Sequence, residues 1–234
     1  MSKVVRGAGW LLVVSGAVVL LYVVYLLWFT NFETERAQND LAETWAETES
    51  DGTAVETGDT VEGTDDGSDH DDDIEVEDAY AAMWFERDGE RIIQDEEIYV
   101  VEGVSLDRLR SGPGHYPDSD RPGGAGNFAI AGHRTTYGAP FWSLDELQEG
   151  DTIHVIDRER REWVYAYRTQ EVVAPTALWV VGRDPLESGE ATITLTTCHP
   201  RGSAAERLIV WGALLDEPIE STAADVPAEE IAEG

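Results

Sequence analysis

The chain has 234 residues, of which 48 are acidic and 16 basic, giving a formal net charge of −32. Such an imbalance excludes ordinary electrostatic binding to nucleic acid, whose phosphates it would repel. A single cysteine, Cys198, excludes an intrachain disulfide, and the length allows one or at most two folded domains.

Lys3 is the one lysine in the chain. A large net charge destabilises a compact state by self-repulsion unless salt screens it. At molar salt the screening length falls to about 3 Å, so crowded carboxylates become tolerable. Abundant Asp and Glu with almost no lysine therefore reads as the protein of a halophile. An acidic linker on an ordinary domain would explain only part of the charge, because the region from Tyr80 onward is acidic too.

At the N-terminus, residues 1–30 form a short stub and an apolar span. Gly7 to Phe32 carry no charge, and Ala8–Thr30 is almost wholly apolar. As a helix, 23 residues rise about 35 Å, enough to cross a hydrocarbon core of about 30 Å. Lys3 and Arg6 precede the span while Glu33 and Glu35 follow it, so the positive-inside rule keeps the N-terminus cytoplasmic and the rest outside. A cleaved signal peptide would have a shorter apolar core and a small-x-small site after it. "WFTNFETER" offers none, so the expectation is an uncleaved single-pass anchor in the cell membrane.

Residues 31–78 are dominated by Asp and Glu, with Arg36 the one basic residue among them. The run "GTDDGSDHDDD" (Gly63–Asp73) has almost nothing to bury, which predicts a disordered, self-repelling linker reaching roughly 40 Å on average. Residues 216–234 read as an acidic mobile tail.

Between them, residues 79–215 are long enough to bury a core. Runs rich in Val, Ile, Tyr and Trp at Glu96–Val104, Asn127–Gly132, Asp151–Asp157, Arg161–Pro175, Ala191–Cys198 and Arg207–Leu215 are separated by Gly, Pro or Asp. Several strands with little helical pattern predict an all-β domain, a small sandwich or a closed barrel.

In "ATITLTTC" (Ala191–Cys198), alternation puts Ile193 and Leu195 on one face and Thr192, Thr194, Thr196 and Cys198 on the other. The thiol thus ends a hydroxyl-bearing face, an unusual place for a packing cysteine. If the Arg207–Leu215 run pairs with this strand, Arg207 begins where Cys198 ends. A thiol of ordinary pKa near 8.5 needs a base or a positive neighbour for nucleophilic chemistry. His133 ends a strand of small residues and opens a Gly-bearing turn, a common position for a catalytic group. His115 is a loop candidate, His154 alternates within a strand, and His199 adjoins the cysteine but faces away if the strand continues. Zinc would need three or four closely spaced ligands, which one cysteine and scattered histidines do not supply.

"TLTTC" (Thr194–Cys198) resembles the TLxTC signature of sortases, the membrane-anchored cysteine transpeptidases of prokaryotic cell surfaces. "GPGHYP" (Gly112–Pro117), Gly126–Ile153 and Thr194–Val210 are similar in order and spacing to class E sortases. The resemblance implies a closed, mostly antiparallel β-barrel of about eight strands behind an N-terminal transmembrane helix. No loop has a recognisable spacing of calcium ligands, so no cofactor or metal is expected. By the same resemblance Cys198 is the nucleophile, His133 the general acid/base and Arg207 the stabiliser of the transition state. Tyr116, Thr196 and Thr197 then contact or shape the substrate site. The implied partners are surface proteins bearing a C-terminal LAxTG/LPxTG-like sorting signal and an amine acceptor. A hydrolase trimming surface proteins, or a tethered binding module, are the other readings. Two departures stand out: "DSDRPGGAGN" (Asp118–Asn127) replaces the usual continuation after "GHYP", and Ala205 stands where many relatives carry arginine.

Overall fold

Alternation along the first strand sets the architecture. In "AAMWFER", Ala81, Met83 and Phe85 enter the core, while Trp84 faces outward and stacks on His154 with ring centroids 5.0 Å apart. The computed structural model describes residues 2–51, 78–215 and 219–220. Its elements in order are α1 (Ser2–Asp51), β1 (Ala81–Arg87), β2 (Glu90–Ile92), β3 (Ile98–Glu102), α2 (Arg108–Ser111), β4 (Gly114–His115) and β5 (Asn127–Ala131). There follow β6 (Thr152–Ile156), β7 (Arg161–Val173), β8 (Thr192–His199), β9 (Glu206–Leu214) and β10 (Ile219–Glu220), with 3-10 turns at Leu144–Glu146 and Leu178–Val181.

The sheet runs β7-β6-β1-β3-β4-β5-β8-β9 and returns to β7, so eight strands close a barrel and leave no open edge between them. Closure depends on the long β7, which pairs with β6 through residues 162–166 and with β9 from Tyr165 to Val173. A register shift between Tyr167 and Thr169 bends β7 where it leaves one neighbour for the other. The expected antiparallel character is corrected to a mixed barrel, because β3–β4 and β5–β8 run parallel. Parallel neighbours need a crossover. The first is carried by α2, and the second spans the whole β6–β7 hairpin. Phe85, Phe128, Phe141, Tyr165, Ile193 and Leu195 sit in the packed interior at 0–1% exposure.

α1 departs from the linker expectation. Residues 31–51 continue the helix, and Thr34, Ala37, Leu41 and Trp45 are buried against the barrel. Their spacing of three and four residues lines one helical face, and composition alone hides that stripe beneath the carboxylates around it. The Gln38 side chain accepts from Tyr99 N–H at 2.8 Å and donates to Tyr99 O at 3.0 Å and Ser111 O at 2.7 Å. Thr34 Oγ1 donates to Arg110 O at 2.7 Å. The Arg160 guanidinium lies 4.4 Å over the Trp45 ring and also bonds the Trp45 carbonyl.

The expected span Ala8–Thr30 lies within α1, where Trp10, Leu11, Leu12, Leu20, Leu21 and Tyr22 are exposed. Side chains 23–31 lie outside the described residues. Among the described residues no helix is long and apolar enough to cross a membrane. Linker residues 52–77, including His70, also lie outside them, as does most of the tail. Within that tail, however, Ile219–Glu220 adds β10 to the start of β7 rather than forming part of a featureless segment.

Candidate active site

One end of the barrel gathers three chain segments. Parallel pairing puts Ala131, the last residue of β5, opposite Thr196 of β8, and Gly132 N–H donates to Thr196 O at 3.0 Å. Thr197 Oγ1 returns a hydrogen bond to Gly132 O at 2.8 Å. The chain therefore reaches His133 while tied to the strand that carries Cys198. On the other side of β8, Cys198 and Arg207 are direct antiparallel partners. Side chains at such paired positions project to the same face. The condition left open by the sequence, that the Arg207–Leu215 run pairs with this strand, is met.

Along the outer face of β8 the cover thins. Thr194 is fully buried, its hydroxyl bonded to Asn127 Oδ1 at 2.7 Å and lying 3.3 Å from Val180 O. Thr196 is 6% exposed and meets the Tyr116 hydroxyl at 3.1 Å. Cys198, next on that face, is half-buried and free. Ile193 and Leu195 fill the core, as the alternation requires. A thiol that ends this gradient is open enough to meet a substrate.

His133 is half-buried, and desolvation pushes its imidazole pKa below the ordinary value. The ring lies 4.8 Å from the Tyr137 ring, with Thr136 Oγ1 at 3.4 Å from Nδ1. Its Nε2 is buried and has no hydrogen-bond partner among the described residues. A buried polar atom left unmatched costs roughly 1–3 kcal/mol, and such atoms collect where a site awaits a ligand. Arg207 is turned toward its own loop, with Nη1 donating to Ala204 O at 3.0 Å and Glu206 O at 2.9 Å.

Three other histidines have structural partners. His115 bonds Glu102 at 2.8 Å and stacks on Tyr80. His154 bonds Glu162 at 2.7 Å and Thr152 at 2.9 Å. His199 Nδ1 meets Arg134 at 3.1 Å.

Arg134 was not among the sequence candidates. Its side chain is 1% exposed, and it pairs with Asp145 at 2.8 Å while Nη1 lies 3.5 Å from the Cys198 carbonyl. Asp145 also accepts from Arg201 at 2.7 Å, and the Arg201 guanidinium covers the Trp142 ring at 4.9 Å. One carboxylate thus ties the loop after His133 to the loop joining Cys198 to Arg207. An arginine beside His133 in a chain so poor in cations was the available signal. Tyr137 left none, because its contact with His133 depends on the turn at Thr136–Gly138.

A family model described as a sortase domain matches residues 92–215, more than half of the chain. The chain belongs to the sortase family. Sortases are cysteine transpeptidases. SrtE2 of Streptomyces coelicolor is 32% identical over 234 residues, covering 92% of this chain and 83% of that protein. SrtE1 of the same organism is 28% identical over 232 residues and 91% of this chain, which spans 57% of the length of SrtE1. Among solved structures, sortase E from Streptomyces avermitilis is 34% identical with a TM-score of 0.53, covering 63% of this chain and 95% of that one. The class E likeness read from the motifs agrees with these relatives, and the closed mixed barrel is the sortase fold.

Proposed function

We propose that this sortase is a single-pass membrane protein whose external domain cleaves a C-terminal LAxTG/LPxTG-like sorting signal and transfers the new acyl end to an amine on the cell envelope or on another protein. The observation that carries the reading is the register of β5, β8 and β9, which brings the segments of His133, Cys198 and Arg207 to one barrel end. The anchor is supported by the exposed apolar side chains between Trp10 and Tyr22.

In this mechanism the Cys198 thiolate attacks the Thr–Gly carbonyl, and its electron pair forms the carbon–sulfur bond of a tetrahedral oxyanion. Protonated His133 gives its proton to the glycine nitrogen, which leaves as an amine while a thioester remains. The unmatched Nε2 is the nitrogen that suits this exchange, since substrate would supply the partner it lacks. Arg207 swings from the Ala204 and Glu206 carbonyls to the oxyanion. The acceptor amine then attacks the thioester, loses its proton to His133, and expels the Cys198 thiolate. Tyr116 and Thr196 form a bonded floor for the signal beside Cys198, and Thr197 holds the Gly132 carbonyl just ahead of His133.

The test is mass analysis of a labelled sorting-signal peptide incubated with the protein and a primary amine. Amide product that disappears in Cys198→Ala is expected. Hydrolysed peptide alone would reject transfer, and full activity in Cys198→Ala would reject the nucleophile.

A further inference from the structure

The two ends of the barrel differ in how α1 meets them. One rim holds the starts of β3, β4, β6 and β9 and the ends of β5 and β8, and so the candidate site. The opposite rim holds the β6–β7 turn, with Arg160, and the entry to β1 at Ala79. α1 first touches the site rim. Thr34 bonds Arg110 O, and its methyl lies 3.2 Å from where a Cβ on Gly138 would sit, five residues after His133. The helix then passes Tyr99 through Gln38 and reaches the far rim, where Trp45 meets Arg160.

From Thr30, the end of the expected span, to Thr34, the first contact with the barrel among the described side chains, the helix runs unbroken over four residue steps. Four residues rise about 6 Å, and a continuous helix provides no loose joint. We propose that α1 is a strut that presents the catalytic rim of the barrel to the headgroup layer of the membrane, with the opposite rim pointing away. This rests on the anchor reading above.

The composition of the rim suits that partner. Trp142 is exposed, at 47%, and its amphipathic ring favours the membrane–water interface, while Phe32, 52% exposed, adds apolar surface where α1 approaches the rim. A cleft of about 330 Å³ between Thr34, Gln38, Glu96, Glu97 and Tyr137 runs from α1 to the His133 loop. Its carboxylates keep the rim from entering hydrocarbon, so the contact is with headgroups. The donor and acceptor must then offer their reacting groups at the rim of the barrel that faces the bilayer.

Depth measurement decides the matter. In the full chain carrying Cys198→Ala, a single fluorophore is placed through Asp95→Cys, exposed at the site rim, or through Asp118→Cys, exposed at the opposite rim. Each protein is reconstituted in phosphatidylcholine vesicles with a headgroup-linked quencher in both leaflets. β8 alone, with eight residues, spans about 26 Å, so several-fold stronger quenching at position 95 than at position 118 is expected. An eight-residue Gly/Ser insertion between Asn31 and Phe32 should bring the two to the same level. Equal quenching before insertion, or stronger quenching at 118, overturns the strut while leaving the anchor intact. Protein that does not float with vesicles overturns the anchor, and the strut with it.

Discussion

His133 combines two properties that burial alone produces: a lowered affinity for protons and a nitrogen without a partner. The Tyr137 ring supplies part of that burial. Tyr137→Ala should admit water and move the His133 pKa upward toward its ordinary value, read by NMR titration of the imidazole. The sign for stability follows. The folded-state pKa lies below the unfolded one, so the unfolded chain takes up the proton first on acidification. Stability from the neutral ring is complete above the unfolded value and is lost as pH falls through the folded one. Arg207 carries a different expectation. Arg207→Ala should lower kcat roughly 10²–10³-fold, the scale of losing one oxyanion donor. Arg207→Lys should not restore it, since lysine lacks the planar fork. Steady-state rates with one peptide and one amine check both. The pairing of Arg207 with Cys198 depended on a partner strand and a register that the sequence leaves open, whereas the polar face that Cys198 ends was readable in advance because β-strands have a period of two. The buried pair Arg134–Asp145 was not, because it joins loops whose approach no local pattern encodes.

Among the elements, α1 shows where reading by composition fails. The carboxylates of residues 33–51 suggested a solvated linker, yet Thr34, Ala37, Leu41 and Trp45 form a buried stripe. Charge on three sides of a helix is compatible with packing on the fourth, and periodicity would have revealed it. Gly112 tests the docking. A Cβ there would sit 2.8 Å from the Tyr99 carbonyl and 2.3 Å from Gln38 Nε2, and the carbonyl belongs to a strand that has little room to move. Gly112→Ala should cost about 1–3 kcal/mol, as overpacking does. Gln38→Ala should cost about as much by leaving the Tyr99 backbone groups unmatched. Denaturant midpoints measure both, and exchange of the α1 amides should quicken with them. The strands themselves were largely apparent from their β-branched and aromatic runs. Their parallel pairings were not, since pairing depends on the path of the crossovers and not on any one strand.

Across the whole molecule, charge dominates. With a net of −32, self-repulsion opposes the compact state, and added salt should relieve it. Thermal midpoints of the full chain should rise steadily from low salt to molar KCl, and a flat or falling series would count against a protein suited to brine. Closure of eight strands sets the opposite tendency, since Phe85, Phe128, Tyr165 and Leu195 pack one continuous interior whatever the ionic strength.

Cys198 is half-open and has no second thiol in the chain. If an oxidant converts it to a sulfenic acid, no neighbouring sulfur can trap that state as a reversible crosslink, and further oxidation to the sulfinic acid is permanent. Brief peroxide exposure should therefore be reversed by small external thiols, whereas prolonged exposure should silence each molecule for good. The enzyme depends on its surroundings for redox protection.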